Sequence, residues 1–95
     1  MTHDIRHETN HPRFSTSVDG HLCVLDYQLD DAVMTITHTG VPTAVGGKGI
    51  AAALTQVALD TARQNQWRVV PTCSYAAVYI KRHPEYTDLL NQGKT

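Results

Sequence analysis

The hydrophobic period of this chain first changes, from alternating to helical, midway along it, and a glycine-rich turn sits at that change. From Arg13 to Thr39 apolar residues alternate with polar ones, the mark of half-buried strands; from Ile50 to Ala62 they recur at helical spacing, the mark of a helix with one apolar face. Phe14, Thr16 and Val18 form the first alternating run, and Asp19-Gly20 after it is a dipeptide favoured in two-residue hairpin turns. Cys23, Leu25, Tyr27 and Leu29 form the second run, which Asp30-Asp31 breaks. Ala32 to Thr39 carries the third, with Met34, Ile36 and His38 expected on one face. Runs joined this closely predict an antiparallel three-strand meander.

Beyond Gly40-Val41-Pro42 the apolar positions Ile50, Leu54, Val57, Ala58 and Ala62 predict an amphipathic helix of about four turns, ended by Asn65-Gln66. Trp67-Arg68-Val69-Val70-Pro71 is short and β-rich, as expected of a strand returning parallel to the third after a helical crossover. Ser74 is placed to cap a second helix running through Arg82 and stopped by His83-Pro84. Pro84 is then suited to open a short last helix containing Leu89 and Leu90. The predicted class is α/β, an α+β mixed sheet in the order βββαβα, with residues 12–95 as a single domain and 1–11 as a flexible N-terminal segment. Ninety-five residues allow one core and room for one site.

Eight basic and nine acidic residues, spread along the chain for a net charge of −1, supply no electrostatic footprint for nucleic acid or an anionic membrane surface. No apolar run approaches the roughly 20 residues of a membrane span, and the polar start of the chain lacks the pattern of a secretory signal. The expected location is cytoplasmic, with Cys23 and Cys73 as free thiols. His3, His7 and His11 would share one face of a helix, the arrangement a metal needs. No carboxylate or thiolate completes that set, so no metal is expected.

Val41-Pro42-Thr43-Ala44-Val45-Gly46-Gly47-Lys48-Gly49-Ile50-Ala51 lies between a predicted strand and a predicted helix. Glycines there let the backbone approach a ligand with its N–H groups, and the helix start adds unpaired donors. Such a loop suits a phosphate or pyrophosphate, and Lys48 adds a cation within reach. A tight chain reversal uses glycines too. A Walker loop is excluded, since Gly49 follows Lys48 and Pro42 stands where that motif has its first glycine. The hairpins before the loop argue against a dinucleotide-binding βαβ unit.

Thr37-His38-Thr39-Gly40-Val41-Pro42, Gly47-Lys48-Gly49-Ile50-Ala51, Pro71-Thr72-Cys73-Ser74-Tyr75 and Tyr79-Ile80-Lys81-Arg82-His83-Pro84-Glu85-Tyr86, in this order, resemble the small, truncated GNAT-like N-acetyltransferases of the GNAT superfamily. The resemblance implies a compact GNAT-like fold and an N-acetyltransferase using acetyl-CoA as co-substrate, with an unidentified amine as acceptor. The alternative is a non-catalytic acyl-CoA-binding or interaction module. It further implies that Gly46, Gly47, Lys48, Gly49, Ile50 and Ala51 wrap the CoA pyrophosphate, and that the Val41 amide holds the acetyl carbonyl. Gly46 stands where the superfamily pattern has Arg or Gln, and Gly40 where the small family often has an acid. Three side chains are candidates for the chemistry. His38, as an imidazole, suits the role of proton acceptor, Tyr79 that of proton donor to the CoA sulfur, and Cys73 that of a thiolate nucleophile at a helix start. Each also reads as packing, His38 at a rim, Tyr79 on a helix face and Cys73 as a small hydrophobe.

Overall fold

Strand order in the sheet follows chain order. A computed structural model describes residues 4–8 and 11–90. Strands β1 (Arg6–Glu8), β2 (Arg13–Val18), β3 (His21–Asp30) and β4 (Val33–Gly40) run antiparallel to their neighbours. After a 3₁₀ turn at Thr43–Val45, helix α1 (Ile50–Gln64) crosses over to β5 (Arg68–Pro71), which lies parallel to β4. Helix α2 (Ser74–Arg82) and a 3₁₀ segment (Pro84–Leu89) follow, and Leu90 makes an isolated parallel bridge to Val69. The mixed sheet, meander, crossover helix and returning strand are as the sequence predicts.

Four details differ from the sequence-based expectation. Inside the segment expected to be a flexible lead-in, Arg6–Glu8 pairs with β2, with His7 opposite Phe14. The His7 ring stacks on Phe14 at 4.2 Å between centroids and hydrogen-bonds the Tyr27 hydroxyl. A strand at His7 removes the helical premise on which a shared histidine face rested; His3 lies outside the described residues. Ser74 is the first residue of α2 rather than its cap, because Cys73 keeps extended backbone angles and is itself the N-cap. The last helical piece is 3₁₀ throughout.

One face of the sheet packs on the helices. Phe14, Leu25, Met34 and Ile36 from the strands and Leu54 and Leu59 from α1 are fully buried in one cluster, each stabilising the fold by about 1.5–3 kcal/mol. α1 buries Ile50, Leu54, Ala58 and Ala62 as its period predicts. Thr55 joins this face because its hydroxyl donates to the Ala51 carbonyl at 2.8 Å. The alternate strand positions, among them Arg13, Leu22, Val24 and Asp26, lie on the other face, and Leu22 there remains 58% exposed. Among the described residues no helix is long and apolar enough to cross a membrane.

Candidate functional site

β4 and β5 pair from Val33 opposite Arg68 to Ile36 opposite Pro71, and there the ladder stops. What closes it is the Ile36 carbonyl, which accepts both the Thr72 hydroxyl at 2.8 Å and the Cys73 amide at 3.0 Å. Beyond this clasp Cys73 Sγ lies 3.6 Å from Thr39 Oγ1.

A bulge decides which residues face this opening. Tyr27 pairs with Ile36, but its neighbour Asp26 pairs with His38, so Thr37 is an extra residue in β4. Past the bulge the two faces exchange. Thr39, opposite the buried Leu25, joins the helical side, and His38 joins the face of Asp26 and Arg13. This corrects the expectation that His38 continues the face of Met34 and Ile36: it is exposed on the opposite side of the sheet. Asp26 there accepts Arg13 Nε at 2.6 Å. The His38 ring lies over Gly40, where an added Cβ would stand 2.9 Å from Nε2. A groove of about 440 Å³, lined by Arg13, Leu22, Val24, Gly40, Val41 and Pro42, reaches Val41 from this same side.

Cys73 is half-buried at the start of α2. Burial by itself pushes the thiol up, but the amides of Ala76 and Tyr75 at the helix start and the hydroxyl and backbone of Thr39 all favour the thiolate. The net displacement is downward from the ordinary value. The neutral thiol does not cap the helix, so the Ala76 and Tyr75 amides act on it as nearby dipoles. Cys23, fully buried in the core, is pushed up by burial.

The glycine loop begins where the 3₁₀ turn ends. Val45 anchors it in the core, and the turn is held by Val45 N–H donating to Pro42 and Gly46 N–H to Thr43 at 3.0 and 3.1 Å. Gly47 and Gly49 have φ of 82° and 75°, in the left-handed region. A Cβ on either would meet no atom within 4 Å, so the loop's outer surface is open. The Ala53 amide bonds the Gly49 carbonyl at 3.0 Å, and among the described residues no acceptor is found for the amides of Gly47 through Ala52. An open arc of unpaired amides at a helix start fits a pyrophosphate. Lys48 does not turn into this arc: its Nζ is 3.2 Å from Asp19 in the β2–β3 turn. Both partners are exposed, so that pair is weak.

Tyr79 is buried in the helical layer, six residues along α2 from Cys73. Its ring stacks on His83 at 4.0 Å and tilts against Tyr75 and Tyr86. Burial raises its hydroxyl pKa, with the charges of Asp60 and Glu85 adding to the effect. Tyr86, buried beside it, donates to Asp60 at 2.9 Å and is pushed up to about 12. The structure thus brings Cys73 together with Thr39 near Val41, sets His38 on the other face beside Gly40, and keeps Tyr79 in the helical layer. Thr39 and Thr72 escape a reading by residue type, since threonines in an alternating run look like strand filler. The signal that would find them is the pairing register, which strand periodicity does not carry.

Over residues 13–89 the chain matches the family described as GCN5-related N-acetyl-transferase. Protein NATD1 of Mus musculus is 31% identical over 83 residues, which cover 84% of this chain and 76% of the mouse protein. Protein NATD1 of Homo sapiens is 30% identical over 83 residues, covering 84% of this chain and 74% of the human protein. The solution NMR structure of a GCN5-like protein from Staphylococcus aureus has a TM-score of 0.73 at 26% identity, over 96% of this chain and 90% of that one.

Proposed function

The chain belongs to the GCN5-related N-acetyltransferase family, and on that premise we propose that it transfers an acetyl group from acetyl-CoA to an amine. The observation that carries this reading is the opening past the Ile36 clasp, with Cys73 and Thr39 at its edge and an open arc of amides at the start of α1. In the proposed complex the amides from Gly47 to Ala51 hold the pyrophosphate, the Gly46 amide being already bonded to the Thr43 carbonyl, and the Val41 amide polarises the thioester carbonyl.

Acetyl-CoA supplies the activated acyl group. The amine nitrogen attacks the carbonyl carbon, the carbon–sulfur bond breaks, and the electron pair leaves on sulfur. The amine must shed a proton, and His38 is the acceptor that this reading assigns. Its ring occupies the space beside Gly40 where a side chain on that residue would start, and the groove ending at Val41 gives an acceptor a path along the same face. The departing sulfur takes a proton from solvent or from Cys73. Tyr79 is assigned to the wall of the helical layer, because its ring is stacked on His83 and it follows Cys73 by six residues, about 9 Å along α2.

The lowered thiol supports a second route, in which the Cys73 thiolate takes the acetyl group first and passes it to the amine, leaving as thiolate again. Intact mass after exposure to acetyl-CoA without acceptor separates the two. A stable gain of one acetyl group that Cys73→Ala abolishes favours the covalent route, and no gain in a protein that turns over favours direct transfer. The absence of Arg or Gln at Gly46 and the engagement of Lys48 by Asp19 favour a different reading, a CoA-binding module without turnover. Calorimetric titration with acetyl-CoA followed by turnover on an amine panel decides. Binding with acetylation upholds the enzyme, binding without acetylation leaves the module, and no binding to folded protein removes both.

A further inference from the structure

The groove that reaches Val41 from the open face of the sheet has one charged residue in its wall. Leu22, Val24, Gly40, Val41 and Pro42 make it apolar, and Arg13 on β2 is the exception. Leu22, 58% exposed, belongs to a sheet face that otherwise carries Arg6, Glu8, Arg13, Asp26 and His38. The Arg13 guanidinium is held from one side. Its Nε donates to Asp26 Oδ1 at 2.6 Å and its Nη2 reaches Asp26 Oδ2 at 3.4 Å, while among the described residues no acceptor is found for Nη1. Glu8, directly across from Arg13 in β1, instead accepts the Ser15 hydroxyl at 2.6 Å, and among the described residues it forms no ion pair. A guanidinium anchored along one edge by a carboxylate keeps donors on its other edge for a second carboxylate.

We infer that the acceptor taken by this groove is a free α-amino acid with an apolar side chain: Arg13 binds its carboxylate, Leu22, Val24 and Pro42 receive its side chain, and its amino group is delivered beside Gly40 and Val41. The inference rests on the acetyltransferase reading and deepens it. Strands β2 and β4 lie about 10 Å apart across β3. The Arg13 side chain leans over β3 to Asp26 and covers much of that distance, so what is left before Gly40 suits an amine and a carboxylate one carbon apart. A peptide has an amide where this carboxylate would sit, and an amide does not give the guanidinium a charged partner. In the transfer the neutral amino group attacks the thioester carbonyl and the carbon–sulfur bond breaks. Sulfur leaves with the electron pair and takes up a proton, and the nitrogen sheds one to His38. The products are the N-acetylamino acid and CoA.

The test compares kcat/KM of the full chain for leucine and for leucinamide, which keeps the side chain and the amine but lacks the carboxylate, each corrected to its fraction of neutral amine. Leucine is expected to be preferred about tenfold. Arg13→Gln should bring that ratio to about one, and Arg13→Lys should keep part of the preference. Adding Asp26→Asn to Arg13→Gln should not restore it, which separates the loss of a cation from the unmasking of a carboxylate. Arg6→Gln removes a cation from the same face but outside the groove, and should leave the ratio as it is. Equal use of the two substrates by the unmodified protein, a preference that survives Arg13→Gln, or one that returns with Asp26→Asn overturns the inference while the acetyltransferase reading stands. Turnover of other amines with neither of these two does the same. Acetylation of no amine by folded protein that binds acetyl-CoA overturns both.

Discussion

The two halves of the β4/β5 pair are built from the same two strands and do opposite things. From Val33 to Ile36 the ladder is closed, and Met34, Ile36 and Val69 lie fully buried in the core. From Thr37 onward the backbone pairing is gone, the residues are polar or small, and two faces of one strand have exchanged at a bulge. The closed half makes the fold, and the open half is where a ligand can lie between strands without breaking a ladder. One extra residue and one carbonyl shared by Thr72 and Cys73 separate the two, so a small irregularity divides a closed ladder from an open one along a single strand.

If that division holds, Ile36→Ala should cost about 2–5 kcal/mol in urea unfolding, because it empties a fully buried site next to the clasp. A loss well below 1 kcal/mol would mean that the closed half is not what holds the sheet. Cys73→Ala should do the reverse. Its thermal midpoint should shift little, while acetyl transfer falls about a hundredfold if the thiol takes part. Full turnover in that variant would take Cys73 out of the chemistry and leave His38 and the backbone as the machinery.

The two cysteines sharpen the contrast through pH. Iodoacetamide should label Cys73 of the folded protein at least about tenfold faster than Cys23, whose thiol is buried and pushed up. The Cys73 thiolate is lost as pH falls through its folded value, so labelling should decline at a lower pH than in the unfolded chain. The same displacement makes the fold gain stability as pH rises from the folded to the unfolded value, and Cys73→Ser should flatten that rise. Thr72→Val is the mildest cut. Removing one hydroxyl from the shared carbonyl should cost about 1 kcal/mol, read by thermal unfolding, and an unchanged midpoint would mean that the Cys73 amide closes the ladder alone.

Periodicity made the closed half legible. Phe14, Leu25, Met34 and Ile36 announce the core face of the meander, and Ile50, Leu54, Ala58 and Ala62 the helix that covers it. β1 was not legible because Arg6-His7-Glu8 has no apolar alternation; what holds it is a ring contact with Phe14 and a bond to Tyr27, both distant in sequence. The open half was legible by residue type and not by geometry. Met34, Ile36 and His38 continue one alternating pattern on paper, and only the partner strand reveals that Thr37 interrupts it. Cys73 stood out through its position before a helix, but Thr39, its neighbour across the opening, had no mark of its own.

The left-handed glycines of the loop have a stereochemical corollary. At Gly47 and Gly49 an added methyl would meet nothing, so the obstacle to any other residue there is the hand of the backbone and not a lack of room. An L-alanine at either position should cost about 1–2 kcal/mol, whereas its mirror image is at home at such angles. A chain of 95 residues is within reach of chemical ligation, and a D-alanine placed at Gly49 should hold the amide arc at least as firmly as glycine by narrowing the conformations of the unfolded chain. Chirality at one carbon atom thus becomes a handle on how far the arc is organised before any ligand arrives.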